Sequence, residues 1–292
     1  MSDSAPAELL RLWIARRAAS AAMAWLEQHC EEIASDFSGR ALGRAISMTP
    51  RRMGKAALGL STDDRAAASR AREGWTPVDW SLDRAARILL LLSAAQRSEG
   101  FAERLKALAA TSDVGELVAI YSGLPLYPDP APLTALATEG LRTAMRTIFE
   151  AVAHHNPFPA EQFPQGAWNH MVLKALFIDS PLHPIEGLDR RWNLELARIL
   201  CDYAHERWAA ARPVTPELWR GVGRFADDAA IADLARVLET GSAIEQTAAA
   251  LALSESDQPA ASRLLASRPD LAADIGAGRV NWAALIPETA VA

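Results

Sequence analysis

Apolar residues recur at helical spacing along nearly the whole chain. Over residues 5–33, Leu9, Leu12, Trp13, Ala19, Met23, Leu26 and Ile33 follow a period near 3.6 residues, which predicts one long amphipathic helix. Residues 37–60 are less regular and hold the basic turn Pro50, Arg51, Arg52, Met53, Gly54, Lys55. One glycine cannot build a phosphate cradle, so a solvated loop is expected there. Ser61 and Asp63 open a short helix, and Gly74 to Trp80 places two tryptophans beside a glycine and a proline, the pattern of a corner packed on a core. Ser81 then caps a helix over 82–97, whose run from Ile88 to Leu92 is apolar nearly all round and therefore belongs between other helices.

Residues 99–110 and 113–121 read as two short helices joined at Thr111 and Ser112. The prolines at 125, 128, 130 and 132 lock the backbone and remove N–H donors, so 124–132 is expected to be an extended connector on the surface. Helical spacing resumes over 133–154 and stops at Pro157 and Pro159. Further helices follow over 168–178 and 189–212, and Thr215, Pro216 and Glu217 supply the cap, first-turn proline and acidic residue of another start. Beyond Phe225, residues 228–239, 242–253, 258–266 and 269–275 read as short Ala/Leu helices, with Gly241 as a stop and Ser242 and Glu245 as a capping box. No segment alternates as a strand does. The pattern predicts an all-α fold, a solenoid-like helical array, in one domain over 1–292 with 227–286 as a C-terminal run of short HEAT-like helices.

Composition narrows the functional classes. A net charge of -6 argues against a nucleic-acid partner, which needs a basic face. Cys30 and Cys201 lie far apart in helical patterns, so neither a disulfide framework nor a cysteine metal site is expected. The longest apolar run is too short to span a bilayer. Asp3, Glu8 and Trp13 ahead of Arg16 and Arg17 favour an ordinary first helix over an export signal, and the cytoplasm is the default compartment. Lysine occurs only at 55, 106 and 174, so each one is worth weighing.

Chemistry concentrates in residues 154–220, which hold five of the six histidines and four of the nine tryptophans. Asn169, Lys174, Asp189, Asn193, Asp202, His205 and Glu206 interrupt apolar helical runs there. Arg191, Glu195 and Arg198 fit a solvated stripe, while Asp189 and Asn193 suit a polar pocket or a cap. Asp202, His205 and Glu206 share a helical side, so a carboxylate could orient the imidazole for proton transfer. Lys174 follows His170 by one turn on a greasy helix; it suits either a desolvated base or a lysine paired with Asp189 or Asp202. His205-Glu206 lacks the second histidine of a zinc-protease helix, and His154, His155, His170 and His183 match no ligand spacing, so no metal is expected. No phosphate loop, nucleophile elbow or dinucleotide-binding glycine pattern is present, and no cofactor is expected.

Several blocks carry a resemblance. Asn156-Pro157-Phe158-Pro159, Trp168 to Phe177, Ile185-Glu186-Gly187-Leu188-Asp189-Arg190-Arg191-Trp192-Asn193, Asp202 to Ala210, and Pro216-Glu217-Leu218-Trp219-Arg220 together resemble the EboA family of bacterial metabolite-traffic proteins. The segments 50–55, 74–80 and 124–130 are also similar. Where that family has a glycine before the arginine that follows the His-Glu-Arg-Trp block, this chain has Ala211. The resemblance implies a cytoplasmic helical protein, encoded beside a UbiA-type prenyltransferase, that helps move a secondary-metabolite precursor toward the periplasm. It implies no catalytic residues.

The combined expectation is a binding or scaffold protein for a metabolite or its prenylated precursor, with the prenyltransferase and its neighbours as candidate partners. Its pocket is expected around Trp168, Asn169, Lys174, Asp189, Arg190, Asn193, Asp202, His205, Glu206, Arg207, Trp219 and Arg220. Cations there would hold an anionic or phenolic group and tryptophan would stack on an aromatic or isoprenoid body. The alternatives are an enzyme with His205 or Lys174 as general base, oriented by Asp202 or Asp189, and a set of polar groups that serve only the core.

Overall fold

The computed structural model describes residues 5–36, 39–97 and 99–285; Asp3, Phe37 and Ile286, which bound expectations above, lie outside them. Among the described residues the fold is all-α, with isolated bridges at Ala57 to Ser81 and His154 to Ile185 and no strand. No described helix is long and apolar enough to cross a membrane. The helices are α1 Ala5–Ala15, α2 Ser20–Ser35, α3 Arg40–Met53, α4 Thr62–Ala71, α5 Leu82–Ala95, α6 Phe101–Ala109, α7 Val114–Ser122 and α8 Thr134–Leu141. They continue as α9 Arg146–Ala153, α10 Phe158–Gln162, α11 Gln165–Phe177, α12 Leu194–Ala209, α13 Asp228–Thr240, α14 Ala243–Ser254, α15 Pro259–Ala266 and α16 Pro269–Gly276. By contacts the chain falls into two compact units: the first ends at Trp168 and includes Pro184–Gly187, and the second holds Asn169–His183 and the chain from Leu188 onward.

In the first unit α5 is the centre, as its all-round apolar pattern predicts, and it packs against α1, α2, α3 and α7. Its two buried charges neutralise each other: Arg87 donates to Asp83 at 3.2 Å and to the Ile46 carbonyl, so neither is left bare in the core. The Gly74–Trp80 segment packs as a corner, with the Trp75 ring 5.8 Å from Trp13 and 5.9 Å from Trp80. Asp64 ties this corner down. It closes a capping box with Ser61 and accepts from the Trp13 indole at 2.9 Å and from Arg16 at 2.8 Å.

Four expectations in this unit need correction. The single helix over 5–33 is two, broken at 16–19, where Arg16 turns to Asp64 and Arg17 to the Gly59 carbonyl; those tertiary anchors leave no trace in the periodicity. The helix over 133–154 is likewise α8 and α9, with the Thr143 hydroxyl accepting from the Met145 N–H in the break. The proline segment is not extended, and only its second half, from Asp129 to Pro132, is exposed. It forms 3-10 turns at Leu124–Leu126 and Ala131–Leu133, whose early positions accept proline, and it buries Leu124, Pro125 and Tyr127. The basic turn from Pro50 is also partly helical, because Pro50 to Met53 form the last turn of α3.

In the second unit α14 is the most enclosed helix, with Ala248 to Leu253 buried and α13, α15, α16 and the 3-10 helix Pro216–Gly221 around it. Gly223 permits the approach: a Cβ there would lie 2.1 Å from the Ala252 carbonyl oxygen. The helix expected from residue 189 starts at Leu194, since the Asn193 side chain caps it by accepting from the Leu196 N–H, and Asp189 sits outside in a 3-10 turn. The start expected at Thr215 is the 3-10 helix instead; the Thr215 side chain makes no cap bond. At its other end α12 closes with Arg212 N–H on the Arg207 carbonyl and Ala211 N–H on the Trp208 carbonyl, the paired bonds of a left-handed helix stop, and Ala211 takes the left-handed position at φ 52°.

Candidate functional site

The structure places most of the expected pocket residues in the second unit and groups them in small sets. Asn169, buried, exchanges amide hydrogen bonds with Asn193 at 3.0 and 3.4 Å and donates to Glu195 at 3.3 Å, so it ties α11 to the start of α12. Arg220 donates to Asp189 at 2.6 Å, and the Trp192 indole reaches the other oxygen of the same carboxylate at 3.4 Å. Lys174 is half-buried on α11, Arg190 is exposed, and Trp168, in the first unit, is buried.

A third set joins α12 to α13. The His205 Nε2 lies 2.8 Å from both oxygens of Asp233, so the imidazole is held by a residue the sequence reading did not single out. Asp202 makes no hydrogen bond to it, and Asp202, His205 and Glu206 are all exposed. Trp219, buried, stacks on Trp208 with centroids 5.8 Å apart, and the Arg236 guanidinium lies 4.2 Å from the Trp208 ring centroid. Arg207 donates to the Pro213 carbonyl at 2.9 Å. Burial, followed by the charges of Asp233, Asp227 and Asp202, pushes the Cys201 thiol up to about 12, which keeps it protonated and unreactive. Glu217 is a further residue whose role was missed: its carboxylate accepts from the Leu182 and His183 N–H groups at 2.9 Å and lies 3.2 Å from the His183 ring. Among the described residues no group of three or more His, Cys, Asp or Glu is placed to hold a metal.

A sizeable cavity lies elsewhere. In the first unit a partly open cavity of about 1030 Å³ is bounded by α6, α7, the turn Ala131–Leu133, α8, Pro164 and Ala167, at the upper end of the ~300–1,000 Å³ usual for small-molecule sites. Its wall is chiefly alanine and proline: Ala109, Ala110, Ala131, Pro132, Ala135, Pro164 and Ala167. Short side chains leave space that longer ones would fill. Tyr121, 4% exposed, lines the cavity, and its ring lies against Gly140, where a Cβ would come within 2.7 Å of the ring carbon bearing the hydroxyl.

Six polar residues complete this lining: Lys106, Tyr121, Thr134, Thr138, Glu139 and Arg142. The Tyr121 hydroxyl has no hydrogen-bond partner among the described residues, and burial, then the Glu139 charge, push the phenol up, so it remains a donor at neutral pH. Arg142 and Glu139 pair at 3.0 Å and leave little net charge between them. Lys106 is exposed at the rim and has no ion-pair partner among the described residues. Thr138 donates to the Thr134 carbonyl, inside its own helix. The one pointer to this site in the sequence was the scarcity of lysine, and it drew attention to Lys174 instead.

The family model for EboA, described as metabolite traffic protein EboA, matches residues 6–223. That span takes in the cavity lining and the whole of 168–220, and it stops short of α13 to α16. No curated protein and no solved structure matches the chain.

Proposed function

The chain belongs to the EboA family, and on that premise we propose that it binds a small molecule in transit and releases it unchanged. The observation that carries this reading is the alanine- and proline-walled cavity inside the matched span. Its wall suits an apolar body, and its few polar groups suit orientation of a head group. In this reading the cargo is a secondary-metabolite precursor moving from the cytoplasm toward the periplasm, and a UbiA-type prenyltransferase is the partner that supplies it.

Binding is favoured over catalysis by the state of the candidate base. His205 is exposed to solvent, whereas a general base works in a water-poor cleft that holds its substrate.

Native mass spectrometry of the protein purified from its own host tests the reading. A small molecule should co-purify with the wild type and with Lys174→Ala and Asp189→Ala, and be lost from Ala135→Trp, which fills the cavity from an exposed position. A cargo kept by Ala135→Trp and lost from Lys174→Ala or Asp189→Ala would move the site to 168–220 and reject the cavity.

A further inference from the structure

We propose that the cavity of the first unit selects an amphipathic monoanion, a carboxylate on an apolar body, with the head group held between the Lys106 ammonium and the Tyr121 hydroxyl. This rests on the reading of that cavity as the cargo site. Three observations point to this ligand class.

The first is the charge of the lining. Lys106, Arg142 and Glu139 are its charged residues, and the Arg142–Glu139 pair cancels, which leaves one positive charge at Lys106. A single uncompensated ammonium matches a monoanion; a phosphate dianion would bring a charge that nothing in the lining neutralises.

The second is the unused donor. Tyr121 is nine-tenths buried and more, yet its hydroxyl has no partner among the described residues. The hydroxyl stays accessible at the cavity that Tyr121 lines, so it is free to donate to a ligand acceptor. A carboxylate offers two oxygens, one for the ammonium and one for the hydroxyl.

The third is the wall, whose alanines and prolines make no hydrogen-bond demand of the rest of the ligand. Chain length is thus free to vary while the head group is fixed. The hydroxyl also sets polarity, because it anchors the charged end beside Gly140 and leaves the apolar end to run along the alanine faces of α6 and α8.

The test is a fluorescence titration of the full-length protein with dansylaminoundecanoate and with its methyl ester. The acid should bind at least ~10-fold tighter than the ester, the worth of one charge-assisted hydrogen bond. Lys106→Gln should cost the acid ~10-fold and the ester little, Lys106→Arg should restore most of that loss, and Lys55→Gln should cause none. Tyr121→Phe, which keeps the ring in place, should cost the acid ~10-fold and the ester little. Dodecyl phosphate should displace the probe less well at pH 8, where it is a dianion, than dodecanoate does.

Equal affinity for acid and ester, an unchanged affinity in Lys106→Gln, or better displacement by dodecyl phosphate would each overturn the proposal. Each of these outcomes still leaves a ligand in the cavity. Failure of the binding reading itself is a different result: neither probe binds, and Ala135→Trp co-purifies the same cargo as the wild type.

Discussion

Gly140→Ala sets two opposing effects against each other at the wall of the cavity. Within α8, alanine in place of glycine would ordinarily stabilise the helix by up to ~1 kcal/mol. Here the new Cβ would stand 2.7, 2.8 and 3.0 Å from three atoms of the Tyr121 ring, closer than carbon atoms pack. Displacing a buried ring costs ~1–3 kcal/mol, so the net is a loss of ~1 kcal/mol, rising to ~2 if the ring finds no rotamer. For a protein of this size that is a fall in melting temperature of ~2–4 °C per kcal/mol. Gly43→Ala is the matched control, because Gly43 is also helical and no atom lies within 4 Å of its Cβ position; it should gain stability, by up to ~1 kcal/mol. The displaced ring moves toward the cavity, its open side, so Gly140→Ala should also weaken binding of the dansyl acid while Gly43→Ala leaves it alone. Urea denaturation followed by tryptophan fluorescence, with the same titration, reads both effects. A Gly140→Ala protein as stable as Gly43→Ala, with undiminished binding, would refute the packing on which the cavity's polar end depends.

Ala211→Gly should raise stability by ~0.5–1 kcal/mol in thermal unfolding, because the left-handed position costs an L-residue ~1–2 kcal/mol and the extra freedom of glycine in the unfolded chain returns only part of it; a destabilised variant would contradict the strain assigned there. Asp64→Ala should cost ~2–3 kcal/mol, about 1 for the lost cap and the rest for a buried Trp13 indole N–H left unpaired. Burial pushes the Asp64 carboxyl up, but bonds from Arg16, from the Ser61 backbone and hydroxyl and from Trp13 together hold it below the usual carboxylate range. Its stabilisation is therefore present above the unfolded value of ~3.9 and lost as pH falls through the lower folded value, and Asp64→Asn should flatten that acid limb of a stability-against-pH curve; an unaltered limb would exclude Asp64 as a contributor. His205→Ala removes an exposed pair and should cost no more than ~1 kcal/mol in urea denaturation without altering cargo binding, whereas loss of cargo would revive a role for His205 at the site.

Much of the fold was legible because its signals are local. Ser81 and Ser242 cap the helices that follow them, and caps act within a single turn. The central place of α5 follows from a run with no polar face to give to solvent. The breaks at 16–19 and 142–145 were illegible because neither contains glycine or proline. At the first, the chain turns where two arginines find partners more than forty residues away, which no window of local sequence includes. Ala211 is the instructive case between these. The family resemblance marks that position as one for glycine, and the backbone at φ 52° supplies the reason.

The candidate site was harder to read for a related reason. Polar residues set among apolar ones are conspicuous in a sequence, yet burial obliges each to find a partner, so their presence first reports how the scaffold is tied together. Asn169 with Asn193, Asp189 with Arg220 and Glu217 with the Leu182 and His183 backbone are ties of that kind. A binding cavity leaves the opposite trace. It is made by what side chains lack, and Ala109, Ala135 and Ala167 on helices are indistinguishable from residues chosen for helix propensity. What separates a cavity from loose packing is an accessible polar group that the fold leaves unused, because such a group is free to meet a ligand. The Tyr121 hydroxyl is such a group and Lys106, at the same cavity, carries an uncompensated charge, so these two are better guides to the ligand than the paired polar groups of 168–220.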